Sequence, residues 1–67
     1  MQDNQLKGEW LQMRGKVKEQ WGKLTNDDLG VIAGKRDQLI GRLHERYGEG
    51  LEEVERQVKG FEASRGL

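Results

Sequence analysis

Apolar residues recur at helical spacing along almost the whole chain. Leu6, Trp10, Met13, Val17, Trp21 and Leu24 follow one another at steps of 4, 3, 4, 4 and 3. At ~100° per residue these positions form one narrow stripe on a helix. The pattern predicts a first helix over 4–22, with Asp3 or Asn4 at its start. Thr25-Asn26-Asp27-Asp28 then reads as a capping box, in which the Thr hydroxyl takes a backbone amide and Asp28 reaches back. Leu29, Ile32, Leu39, Ile40, Leu43 and Tyr47 follow, interrupted early by Gly30 and Gly34. A short helix over 26–33 and a longer one over 35–47 are predicted. Leu51, Val54, Val58 and Phe61, at steps of 3, 4 and 3, predict a last helix over 50–63. The ends, 1–3 and 64–67, are expected to fray. No alternating run competes as a strand.

The fold class expected is therefore all-α: one small bundle of four helices with short glycine-containing turns. Its core is expected to hold Trp10, Met13, Val17, Trp21, Leu24, Leu29, Ile32, Leu39, Leu43, Tyr47, Leu51, Val54, Val58 and Phe61. With 67 residues, only one domain is possible. A domain of this size buries only about 60% of its unfolded surface, so its stability is marginal. The chain has no Cys, which removes disulfides and thiolate zinc sites.

Glycines add a second pattern. Gly8, Gly15 and Gly22 are seven apart, and so are Gly34, Gly41 and Gly48. Aligning 8–22 with 34–48 pairs Gln12 with Gln38, Glu19 with Glu45, Met13 with Leu39, Val17 with Leu43 and Trp21 with Tyr47. This reads as a repeated helical unit. Both glycine rows fall far from the apolar stripes on a helical wheel. Gly22 and Gly48 are expected to be helix C-caps. Gly8, Gly15 and Gly41 have three open explanations: tolerated residue choice, a back surface kept flat for a partner, or deliberate weakening of the helices.

Candidate chemistry is sparse. His44 is the only imidazole and Ser64 the only serine, so no nucleophile triad can be assembled. Asp27-Asp28 is explained by helix-start chemistry and Glu52-Glu53 by a solvated face. No catalytic, cofactor or metal residue is assigned. Residues 7–23 carry five basic and two acidic side chains, and 49–67 carry five acidic and three basic. The two ends are expected to attract each other. Lys7, Arg14 and Lys18 share a face of the first helix, and with Gly8, Gly15 and Gly41 they make the candidate interaction surface. Zero net charge argues against a dedicated nucleic-acid binder. The opening MQDNQLKGEW lacks an apolar stretch and no long apolar run follows, so neither a secretory signal nor a membrane span is expected. A cytoplasmic monomer, or a weakly self-associating one, is the expectation.

The stretch GKVKEQWGKLTNDD, residues 15–28, followed by GKRDQLIGRLHERYG, residues 34–48, resembles the CsbD-like family of small bacterial stress-response proteins. The hallmark blocks are GKVKE-x-WGKLT-x-DD and EGKRDQL-x-G-x-L-x-ERYG. Ala33 departs from them, standing where many members carry an acidic residue. The resemblance implies an all-helical bundle of about four helices, made in stationary phase or under osmotic or desiccation stress. It brings no activity, cofactor or catalytic residue. Ten glycines and a mean hydropathy of −0.98 also resemble the hydrophilins, hydrated protectants that accumulate under stress. Two functions stand as expectations: a non-enzymatic protectant, or a helical module that binds a protein through the glycine row or the basic face of helix 1.

Overall fold

Thr25 sets the frame of the fold. In the computed structural model, which describes residues 9–64, its backbone is extended and its hydroxyl accepts the Asp28 amide at 3.0 Å. The Asp28 carboxylate accepts the Thr25 amide in return, at 2.9 Å. Two amides at the start of a helix, which have no partner within it, are satisfied by this exchange. The described helices are α1 (Trp10–Gln20), α2 (Asn26–Ile32), α3 (Arg36–Tyr47) and α4 (Leu51–Ser64). No strand occurs among the described residues.

The turns between helices have separate causes. After α2, Ala33 (φ 45°) and Gly34 (φ 85°) are both left-handed, and the Lys35 amide donates back to the Ile32 carbonyl at 2.7 Å. Glycine suits that backbone, whereas a Cβ at Ala33 costs roughly 1 kcal/mol. After α3, Gly48 (φ 70°) caps the helix and its amide donates to the His44 carbonyl at 3.0 Å. The His44 Nδ1–H donates to the Glu49 carbonyl, 2.6 Å away, and ties down the first residue beyond the turn.

Inside the bundle the apolar stripes meet as one cluster. Val17, Leu24, Ile32, Leu39 and Val58 lie fully buried at its centre. Trp21 and Phe61 close one side, with ring centroids 5.2 Å apart at 54°, an arrangement that aromatic pairs favour. The repeat is visible in space. Helix α1 starts at Trp10 and α3 at Arg36, 26 positions on, and each buries the paired residues Met13 and Leu39, then Val17 and Leu43.

Several expectations are corrected. The first helix ends at Gln20, not 22, because Trp21 leaves helical geometry (φ −128°, ψ 85°) and turns its indole into the core. Its start at 4, and the fraying of 1–3 and 65–67, lie outside the described residues. Gly22 is no left-handed cap, since among the described glycines only Gly34 and Gly48 have positive φ. Leu51 is 56% exposed rather than core, because as the first residue of α4 it sits one turn before the buried stripe begins at Val54. Tyr47 is only half-buried, since its hydroxyl must reach the Lys23 amide at 3.2 Å. Ser64 is helical and donates its hydroxyl to the Phe61 carbonyl.

Gly15 and Gly41 are helical and exposed, and a Cβ built on either meets nothing within 4 Å. Gly15→Ala and Gly41→Ala should therefore each add about 0.5–1 kcal/mol, raising Tm by a few degrees in a chain this short. Gly48→Ala should remove roughly 1 kcal/mol through its left-handed backbone. Thermal melts followed by circular dichroism check all three; a lowered Tm for Gly15→Ala or Gly41→Ala would mean that those bare backbones are in contact with something.

Candidate functional site

The most deeply buried polar side chain among the described residues is Asp28. Its carboxylate is 1% exposed, and all of its partners are in place. Oδ2 accepts from the Thr25 amide and from Arg46 Nε at 2.8 Å; Oδ1 accepts from Arg46 Nη2 at 2.8 Å and has Arg42 Nη1 at 3.5 Å. The two Arg46 bonds form a fork, the strong form of carboxylate recognition. Arg42 and Arg46 stand one turn apart on α3, so one carboxylate fixes the start of α2 and grips α3. Arg46 is 41% exposed and Arg42 30%, so the group sits just beneath the surface.

A second polar junction joins α3 to α4. Arg36 Nε donates to both Glu62 oxygens, at 3.2 and 3.1 Å, with both side chains nearly covered, and Arg36 also lies 3.9 Å from Glu55. A third runs through Gln57, which accepts the Trp21 indole N–H at 3.1 Å and donates to Glu49 at 2.9 Å and Glu53 at 3.2 Å. Sequence reasoning found the capping role of Asp28 but not its burial, and missed Arg36, Arg46, Gln57 and Glu62. The only available signal was Glu62 directly after the buried Phe61, and the Arg42/Arg46 spacing. Neither says which acid each cation meets.

The expected attraction between the basic start and acidic end is not how the charges pair. Among the described residues no ion pair involves α1; the helix-to-helix pairs run from α2 to α3 and from α3 to α4. On α4, Arg56 pairs with Glu53, while Glu55 lies 3.9 Å from Arg36. The described candidate interaction residues lie on two helices. Arg14 and Gly15 are exposed on α1 and Gly41 is exposed on α3. Lys18 is exposed too, but its ammonium donates to the Leu24 carbonyl. Lys7 and Gly8 lie outside the described residues.

A shallow open dent on α4 is lined by Glu52, Glu55, Arg56 and Lys59. No group of three His, Cys, Asp or Glu among the described residues is placed to hold a metal ion. No described helix is long and apolar enough to cross a membrane.

Comparison with known proteins decides the lineage. The family model described as CsbD-like matches residues 4–56. The chain belongs to the CsbD-like family. It is 60% identical over 62 residues to UPF0337 protein ECA0631 of Pectobacterium atrosepticum, covering 92% of this chain and 90% of that one. With UPF0337 protein YjbJ of Escherichia coli K12 it shares 52% identity over 62 residues, again 92% and 90% of the two chains. UPF0337 protein NE2439 of Nitrosomonas europaea is 48% identical over 58 residues, which are 87% of this chain and 62% of that protein. No solved structure gives a significant match. The family is one of bacterial stress-response proteins, and this CsbD-like chain has the small all-helical architecture that its motifs implied.

The Asp28 junction makes stability depend on pH with a definite sign. The Arg46 hydrogen bonds, reinforced by the Thr25 amide, hold the Asp28 carboxyl far below its ordinary value of 3.8, against the opposing effect of burial. A carboxyl with a lowered folded pKa gives stability that is complete above the unfolded pKa and is lost progressively as pH falls from there through the folded pKa. Chemical denaturation should therefore show stability declining from about pH 5 downward. Asp28→Asn should be less stable at pH 7 and show a flatter decline; a variant that parallels the natural chain at every pH would rule the group out as a source of the slope.

Proposed function

We propose that this CsbD-like chain is a non-enzymatic, cytoplasmic protectant that shields other molecules during water loss, in osmotic, desiccation or stationary-phase stress. The observation that carries the reading is the division of its residues. The large apolar side chains are gathered into one cluster, and among the described residues only Leu11, Val31 and Leu51 are large hydrophobics left exposed. The rest of the described exposed surface is mostly charged, amide-bearing or glycine, a surface that holds water. Family membership supports the setting, and the glycine-rich, hydrophilic composition supports the mode of action. The test is survival of a labile enzyme through drying and rehydration. The chain should preserve more activity than an equal mass of an inert globular protein; equal recovery in the two samples would sink the reading.

A second reading keeps one observation in its favour. Gly15 and Gly41 leave bare backbone on the exposed sides of α1 and α3, and Leu11, 83% exposed, stands one turn before Gly15. A protein partner lying against helix 1, with Arg14 and Lys18 beside it, would use such a surface. Gly15→Arg and Gly41→Arg separate the two readings while leaving the core untouched. A protectant keeps its full effect in the drying assay with either substitution. An interaction module loses saturable binding to its partner with the helical content unchanged.

A further inference from the structure

The four described helices are not held with equal strength, and the difference has a direction. Helix α1 begins without a side-chain cap: Glu9 makes no capping hydrogen bond and the first turn contains no acidic residue to meet the helix dipole. Gly15 occupies its middle with open space where a Cβ would stand. Among the described residues no ion pair involves α1, and its one side-chain hydrogen bond, Lys18 to the Leu24 carbonyl, stays within the adjoining turn. Among the described residues, what chiefly keeps α1 in place is the burial of Trp10, Met13 and Val17.

The remaining helices are tied to one another. Asp28 joins α2 to α3 through the Arg46 fork, and Glu62 joins α4 to α3 through Arg36. The boundary between the two regimes falls at Trp21, whose amide still donates to the Val17 carbonyl at 2.9 Å. Gln20 is the last residue of α1, and the next residue, Trp21, is anchored on α4 by its bond to Gln57 and by the Phe61 ring. We propose that α1 is an opening strap: it detaches as a unit about the Gln20–Trp21 junction, uncovering apolar core, while Trp21 and α2 to α4 stay together. Such sub-global opening is a recognised mode of native proteins, with the least fastened element opening first. This goes beyond the protectant reading and does not depend on it.

Amide hydrogen exchange on the full chain, read residue by residue by NMR at low denaturant, tests the idea with variants that do not threaten folding. In the natural chain, the amides from Met13 to Gln20 should share one opening with its own denaturant dependence, below that of the slowest amides of α3 and α4. Gly41→Ala should slow those α3 and α4 amides about two- to five-fold. It should leave the Val17 amide unchanged, because α3 is still folded when α1 is open. Gly15→Ala should slow both groups alike, because α1 is lost in either opening. If Gly41→Ala slows Val17 by the same factor as α3, the chain opens only as a whole and the strap does not exist. Protection that rises gradually along α1 without denaturant dependence would overturn it too, as end-fraying.

Discussion

A seven-residue helix has no independent stability in water, and α2 is such a helix. It persists because one carboxylate serves it at two levels. Asp28 closes the capping box with Thr25, and the same two oxygens receive the Arg46 fork from α3. Local start signal and tertiary contact are thus one group, so α2 cannot form its cap in the native way without also placing α3. Leu29 and Ile32, which lie within α2 after Asp28, are delivered to the core by that placement. A chain with no disulfide, and so few residues to bury, relies on this sharing of one side chain between two tasks.

Helix α3 is the spine of the arrangement. Its arginines face in two directions, Arg42 and Arg46 toward α2 and Arg36 toward α4, while Leu39 and Leu43 fill the core between them. The pairs differ in how they respond to salt. Arg56 with Glu53 and Arg42 with Glu45 are largely open to solvent and are screened readily. Asp28 and the Arg36–Glu62 pair are nearly covered and keep more of their interaction at high ionic strength. The contacts that fix helix against helix are therefore the ones least disturbed when solutes concentrate around the molecule.

Periodicity made the helices and most of the core legible, because apolar spacing reports a face and a small bundle has only one place to put it. Trp10, Met13, Val17, Leu39, Leu43, Val54, Val58 and Phe61 are buried for that reason. The failures lie where spacing carries no information. Leu51 has the right spacing but sits at a helix start that the bundle does not cover. Gly22 has the right repeat position, yet Trp21 ends the helix before it by turning inward. Charge pairing was the least legible, because composition gives the sign of each segment and not the angle at which two helices cross. The basic excess of α1 invited a partner in the acidic α4, while the structure spends Glu55 and Glu62 on Arg36.

The two copies of the repeated unit have consequently diverged in what fastens them. Both bury their apolar stripe and both leave a bare glycine, Gly15 or Gly41, in open space. In α3 the weakening by glycine is offset by three arginines that reach buried or partly buried acids and by a left-handed glycine cap. In α1 the corresponding positions carry no such anchors: Trp10 stands at the place of Arg36, Lys16 at that of Arg42 and Gln20 at that of Arg46. The same helical unit is therefore a fixed spine in one copy and a loosely fastened element in the other. The glycine that the repeat shares costs stability in both, but among the described residues α1 sets against that cost only apolar contact and the Lys18 bond to the Leu24 carbonyl.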